Sequence, residues 1–301
     1  MTDRTLVDCS PRQLGCFEVG PLAYGLWRFT TPDVGRATEL IETALDAGMN
    51  LIDTADVYGL DHGGTGFGSV EELLGRVLAG APHLRDRMVL ATKGGIAPPV
   101  PYDSSPEGLR DAVEASLRRL GVEHIDLYQI HRHDFFTHPA AVAETLDTLV
   151  AEGKIRQLGV SNHSAAQTRS LVAHLHHPLV STQPEFSAAH LDPLRDGTFD
   201  LCSEMGLTPL VWSPLAGGRL VTGDGVPSEL PAVLDELAER ECTDRASIAL
   251  AFVLSPPSCP VAIVGSQQPH RIKAATKALD VSLDRNDLYR IIQASDGAPL
   301  P

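Results

Sequence analysis

What this chain lacks narrows its function before any motif is considered. It has no excess of positive charge: 24 Lys and Arg stand against 39 Asp and Glu, a net charge of −15. Nucleic acids and anionic membranes are bound through basic patches, so neither is an expected partner. A small-molecule site, which can be locally basic inside an acidic protein, is not excluded. The five cysteines (Cys9, Cys16, Cys202, Cys242, Cys259) are odd in number, scattered and never in a CxxC pair. Neither a disulfide framework nor a zinc–cysteine site is expected, whereas a reducing cytoplasm is. No stretch approaches the roughly 20 apolar residues that cross a bilayer. The amino-terminal MTDRTLVDCS also lacks an apolar run of signal-peptide length, so a cytosolic location is expected. No Gly/Ser linker or charge run divides the 301 residues, and no GxGxxG follows the first strand-like run.

What is present is a repeated alternation of strand and helix. Weak alternation at residues 5–7 and 15–19 suggests an opening hairpin. Strand-like runs follow at 22–27, 50–55, 88–93, 125–131, 155–162, 179–186, 207–213 and 261–266. Helices are expected between them. One starts at Thr31-Pro32, one covers 70–78, and one runs from Ser105-Pro106 to Gly121. Others cover 140–151, follow a capping box at Ser164 and Gln167, and cover 199–205. One or two lie within 230–254, and the last covers 269–277. Eight strands, each followed by a helix, fit a single-domain (β/α)8 TIM barrel over residues 1–301 better than an open doubly wound sheet.

In such a barrel the active site forms at the carboxyl ends of the strands. Asp53 ends the second strand, Lys93 the third and His131 the fourth, while Tyr58 lies in the loop after the second. Singly, these are a turn residue, an exposed charge and a core histidine. Together, at equivalent ends of adjacent strands, they suit proton transfer to a carbonyl oxygen. A free tyrosine has a pKa of about 10, too high for easy exchange at neutral pH. A nearby ammonium lowers it. Lys93 can supply that charge, Asp53 can hold Lys93, and His131 can bond the substrate oxygen or tune Tyr58. This makes a general acid and names no electron source.

The motifs DTADVYG, LATKGG, DLYQIH and GKIRQLGVSN resemble, in order and spacing, the signatures of the aldo/keto reductase family. The closing part, from HLDPLRDGTFDLC through WSPLAGGRL to IVGSQQPHRI, is similar to a bacterial subgroup of it. The resemblance implies a barrel that binds a nicotinamide cofactor without a Rossmann domain and passes hydride to aldehydes or ketones. It also implies that Asp53, Tyr58, Lys93 and His131 are catalytic, with Tyr58 the proton donor. Ser161, Asn162 and Gln183 would bond the nicotinamide carboxamide, and Trp212 would stack on the ring. Ser213, Pro214, Leu215, Gly217 and Gly218 would line the pyrophosphate. Ser266 and Arg271, flanked by Gly265 and Gln267, would meet an adenosine 2′-phosphate. Trp27 would complete the cofactor site.

Two departures bear on the cofactor. Many family members have lysine where this chain has Gly265, and asparagine where it has Ala275. An NADP(H) preference then rests on Ser266 and Arg271, with NAD(H) or dual use open. The glycine-rich stretch 63–68, just after Tyr58, reads as a mobile insertion that reshapes the substrate entrance. Trp27, Phe67, Tyr102, Phe135 and Phe136 are candidates for an aromatic pocket wall, which allows aldehydes, ketones, sugars or quinones. A second reading is a cofactor-occupied regulatory subunit with little turnover, like the β subunits of potassium channels. A third takes His131, His133 and Asp134 as metal ligands. Ser161, Gln183, Ser213 and Ser266 at the later strand ends are poor ligands, so no metal is expected. The expected partner is a small-molecule carbonyl substrate, and the oligomeric state is not readable from one sequence.

Overall fold

The structure is a computed structural model that describes residues 5–300. A hairpin comes first, pairing β1 (Arg12–Leu14) antiparallel with β2 (Phe17–Val19). Only its second half falls where sequence alternation placed it, since residues 5–7 run without strand structure. Eight parallel strands then close into a barrel. They are β3 (Leu22–Gly25), β4 (Leu51–Asp53), β5 (Val89–Gly94), β6 (Ile125–Ile130), β7 (Ile155–Ser161), β8 (Leu179–Gln183), β9 (Thr208–Val211) and β10 (Val261–Val264). β10 pairs with β3 to seal the ring. All eight correspond to expected strands.

Helices cover the barrel's outside, so both faces of the strands are buried and their sequences are near-continuous apolar runs. The helices are α1 (Val34–Asp46), α2 (Ser69–Gly80), α3 (Pro106–Leu120), α4 (Pro139–Ala151), α5 (Ala165–Val172) and α6 (Thr198–Met205). After them come α7 (Arg219–Thr222), α8 (Glu229–Arg240), α9 (Arg245–Val253), α10 (Pro269–Ala275) and α11 (Arg285–Asp296). The Ser105 cap and the Ser164–Gln167 capping box form as expected. The first helix starts later than Thr31-Pro32. Asp33 is the capping residue, accepting from the Gly35 and Arg36 amides, while the Thr31 hydroxyl accepts from the Asp33 amide. The stretch 230–254 is two helices, separated where Asp244 caps the second. No helix among the described residues is long and apolar enough to cross a membrane.

The two ends of the barrel differ. Leu14 and Val19 of the hairpin pack with Ala23, Leu51, Val89, Leu127, Leu210 and Val261, so the amino-terminal end is plugged with apolar side chains. Side chains on a strand alternate with a period of two. Two residues beyond Leu51, Ala91 and Leu127, on the same inward side, come Asp53, Lys93 and Gln129. In-register pairing sets Asp53 beside Ala91 and Lys93 beside Gln129. The polar layer therefore lies directly above the apolar one, at the carboxyl end.

Outside the barrel, α2 and α3 approach closely at Gly75, where an added Cβ would stand 2.1 Å from the Arg119 carbonyl oxygen. In an open helix Gly→Ala gains about 1 kcal/mol. Here Gly75→Ala is expected to lower the calorimetric melting temperature, because overpacking against backbone costs about 1–3 kcal/mol.

Candidate active site

The Lys93 side chain is fully buried and its ammonium has three acceptors. It donates to Asp53 Oδ2 at 2.7 Å, to the Thr54 carbonyl at 2.9 Å and to the Tyr58 hydroxyl at 3.1 Å. Backbone bonds explain how a loop tyrosine reaches it. Thr54 N donates to Ala91 O and Asp56 N to Lys93 O, prolonging the β4–β5 pairing past the end of the strand. The chain then turns back, and Tyr58 lies over Lys93. On the other side, His131 N donates to Gly94 O, and the His131 ring meets the Tyr58 ring edge-on with centroids 6.0 Å apart. The four expected side chains are therefore brought together.

The electrostatics differ from the expectation in one respect. Burial raises the Tyr58 pKa above its ordinary value, and this outweighs the lowering by the Lys93 ammonium. Asp53 adds to the rise. Lys93 does not activate Tyr58 by ionising it in advance. The phenol keeps its proton, with the ammonium 3.1 Å from its oxygen. Burial would depress Lys93, but the Asp53 charge and the two side-chain hydrogen bonds more than offset it, so its pKa is raised. Burial, then the Lys93 and Arg132 charges, push His131 well below the usual histidine range, so its ring is neutral. Its Nδ1 is buried without a partner, which leaves Nε2 as the nitrogen free to reach a ligand.

The other expected residues form a second group beside the first. The Trp212 indole N–H donates to Asn162 Oδ1 at 3.0 Å, and Asn162 Nδ2 donates to Ser161 Oγ at 2.8 Å and to the His131 carbonyl at 3.3 Å. Asn162 takes the left-handed conformation, φ 55°. Gln183 is bonded through its amide nitrogen. Its amide nitrogen donates to Asp53 Oδ1 at 3.0 Å and to Gln129 Oε1 at 3.3 Å. Past Trp212, Pro214 is buried and Leu215 half-buried, while Ser213, Ala216, Gly217 and Gly218 all have positive φ. Gly265 and Arg271 are exposed, Ser266 is half-buried, and the Gln267 amide donates to the Tyr24 hydroxyl at 3.3 Å.

Two residues at the site were not foreseen. Gln129 donates to Asp53 Oδ1 at 3.2 Å, and the sequence signal was a polar residue at an inward position of β6. Arg36, on α1, donates to the Gln267 carbonyl at 3.2 Å, setting a cation beside the 266–271 segment. The rim also differs from expectation. Trp27 is 45% exposed, donates to Asp61 at 3.3 Å and packs on His62, with no hydrogen bond to the Tyr58 cluster. The Thr30 hydroxyl holds the His62 carbonyl at 2.7 Å, just before the glycine-rich stretch. Phe135 and Phe136 are 69% and 98% exposed. They line a cavity of about 500 Å³ between the 133–139 loop and α5. Asp134 spends its oxygens on the Ser104 and Phe136 amides and the Thr137 hydroxyl. Among the described residues no group of three or more His, Cys, Asp or Glu could hold a metal ion.

A closed eight-stranded barrel with this acid–base cluster at its carboxyl end is the architecture of a barrel oxidoreductase. The chain belongs to the aldo/keto reductase family, whose profile matches residues 21–296, and the family uses a nicotinamide cofactor. It is 46% identical over 297 residues to a protein named 6-dehydroglucose reductase from Novosphingobium aromaticivorans, covering 96% of this chain and 97% of that one. A protein of the same name from Agrobacterium fabrum is 32% identical, with 93% of this chain and 95% of the relative covered. Oxidoreductase YdhF of Escherichia coli is 33% identical, with 94% and 96% covered. Among solved structures, the thermostable aldo-keto reductase Tm1743 in complex with the inhibitor epalrestat superposes with a TM-score of 0.80. It is 25% identical, with 95% of this chain and 99% of that one covered.

The two histidines at the site give a test of its electrostatics. His163 is buried, with Nδ1 2.9 Å from the Ser161 carbonyl, and burial lowers its pKa to about 4. The unfolded chain, at an ordinary 6.5, takes up this proton first. The stability tied to neutral His163 is therefore intact above that value and is lost as pH falls towards about 4. Histidine NMR titration is expected to place the His163 midpoint near 4, with His131 also neutral at pH values where exposed histidines have titrated. Midpoints near 6.5 for both would contradict the burial.

Proposed function

We propose that the chain, working as one catalytic domain in the cytoplasm, is an NADPH-dependent reductase of a sugar aldehyde, with Tyr58 as the proton donor. The observation that carries the reading is the placement of a buried ammonium 3.1 Å from a protonated tyrosine hydroxyl. When bound, the reduced nicotinamide would supply a hydride to the carbonyl carbon, and the aldehyde would become a primary alcohol once its oxygen had gained a proton. The chain supplies that proton. Tyr58 donates from its hydroxyl, Lys93 stabilises the phenolate, and Asp53 holds Lys93 in place. The neutral His131 holds the carbonyl oxygen through an Nε2–H bond. The unpaired state of all five cysteines is in keeping with a reducing compartment.

The residues of the second group fit an extended dinucleotide. No atom lies within 4 Å of where Gly217 or Gly218 would carry a Cβ. Positive φ at Ser213, Ala216, Gly217 and Gly218 turns the chain tightly after Trp212, with the Ala216 amide donating to the Ser213 carbonyl and the Gly218 amide to the Leu215 carbonyl. It is therefore the open backbone surface at the two glycines that leaves room for a pyrophosphate. Asn162 holds the Trp212 ring for stacking. At the adenosine end, Ser266 and Arg271 favour a 2′-phosphate although lysine is absent at Gly265; Arg36 also lies there, its charge shared with Glu39 at 2.5 Å. The sugar substrate is supported by the two relatives named 6-dehydroglucose reductase.

Tyr58→Phe is expected to cut kcat by roughly 10²–10⁴-fold, with NADPH affinity by fluorescence titration unchanged within about twofold. The wild type is expected to bind NADPH more tightly than NADH and to turn over 6-dehydroglucose faster than apolar aldehydes. Wild-type turnover by Tyr58→Phe would remove Tyr58 as the acid.

A further inference from the structure

We propose that Gln129 is a positioning residue of the proton-transfer site, orienting the Asp53 carboxylate and setting the direction in which the Gln183 amide faces. This rests on the reading of Tyr58 as the acid and adds a residue to it. The Asp53 carboxylate has two sides. Oδ2 takes the Lys93 ammonium at 2.7 Å. Oδ1 takes two uncharged donors, Gln129 Nε2 at 3.2 Å and Gln183 Nε2 at 3.0 Å. The triangle closes because Gln183 Nε2 also donates to Gln129 Oε1 at 3.3 Å. All three residues are at least 98% buried.

The choice of glutamine follows from these contacts. An apolar residue at 129 would leave Oδ1 short of a donor in a water-free interior, where an unsatisfied charged acceptor is costly. A cation there would compete with Lys93 for Asp53. An amide satisfies the carboxylate without neutralising it, so Asp53 keeps its charge for Lys93. The fold leaves room for this side chain. A Cβ at Gly159 would stand 2.9 Å from Gln129 Cγ and 2.4 Å from Ser181 Oγ. With both Gln183 N–H groups taken, only its carbonyl oxygen is left to face the barrel mouth, as an acceptor for a ligand N–H.

The titratable groups facing Asp53 are Lys93 and Tyr58, with His131 and Arg132 on the far side of Tyr58. The test compares Gln129→Met and Gln129→Glu, which keep the side-chain length, in pH profiles of kcat with NADPH and an aldehyde the wild type reduces. Losing one hydrogen bond to a charged group is expected to lower kcat of Gln129→Met by roughly tenfold. Gln129→Glu sets a carboxyl against Asp53, and like charges raise the pKa of one of the pair. Protonated, it donates to Oδ1, so kcat is expected to approach wild type at low pH and to fall through a new ionisation as pH rises. A residue that only fills space would leave Gln129→Met at wild-type kcat. Wild-type kcat in Gln129→Met would overturn the proposal whatever the Gln129→Glu profile, and if Gln129→Met does not fold, Gln129→Leu is measured in its place. Tyr58→Phe in the same assay separates the two claims. If it is inactive while both Gln129 variants match wild type, only the role of Gln129 falls. If it is active, the reading of the acid falls.

Discussion

The site depends on an ammonium buried where no water can solvate it. Taking a cation out of water costs several kcal/mol, so the Lys93 head group is tolerable only if each of its N–H bonds finds an acceptor. It has three, and they come from one short stretch: the Asp53 carboxylate, the Thr54 carbonyl and the Tyr58 hydroxyl. The need to satisfy one lysine thus accounts for the course of the chain from the end of β4 to Tyr58. A tyrosine drawn in as the third acceptor of a buried cation is also one whose phenolate that cation can stabilise. Structure and chemistry share a contact.

That arrangement is supported from below and from the side. The hairpin plug and the apolar lower layer keep the interior dry, which raises the Tyr58 and lowers the His131 proton affinity. The glutamine pair completes the shell of Asp53 without taking its charge. Beside it, the chain from Ser161 to Trp212 is bonded side chain to side chain through Asn162. The two groups meet at β8, where Ser161 Oγ accepts from Asn162 and donates to the Gln183 carbonyl at 3.0 Å.

Much of this was legible in the sequence, and what was not has physical causes. The barrel strands show as apolar runs because both faces are buried, and the clustered positions Asp53, Lys93 and His131 show as polar residues at the ends of those runs. Helix starts were less secure. Thr31 and Asp33 are both competent caps, and in the fold Asp33 takes the helix amides while the Thr31 hydroxyl accepts from the Asp33 amide. The last helix, α11, was not read from the sequence: its capping box is a pair of aspartates, Asp284 and Asp287, and apolar residues are few along it. At the site, parity indicates that Gln129 and Gln183 point inward but not that they meet on Asp53. The direction of the Tyr58 shift depends on how far the loop buries the ring, which composition and spacing do not encode.

The central claim is that the Lys93 charge, rather than its bulk, makes Tyr58 a usable acid. Lys93→Met tests it most directly, because methionine fills most of the stem's volume and removes only the ammonium. With NADPH binding held within about twofold of wild type, kcat is expected to fall by at least roughly 10²-fold. Turnover within a few-fold of wild type in a folded, cofactor-binding variant would contradict the account.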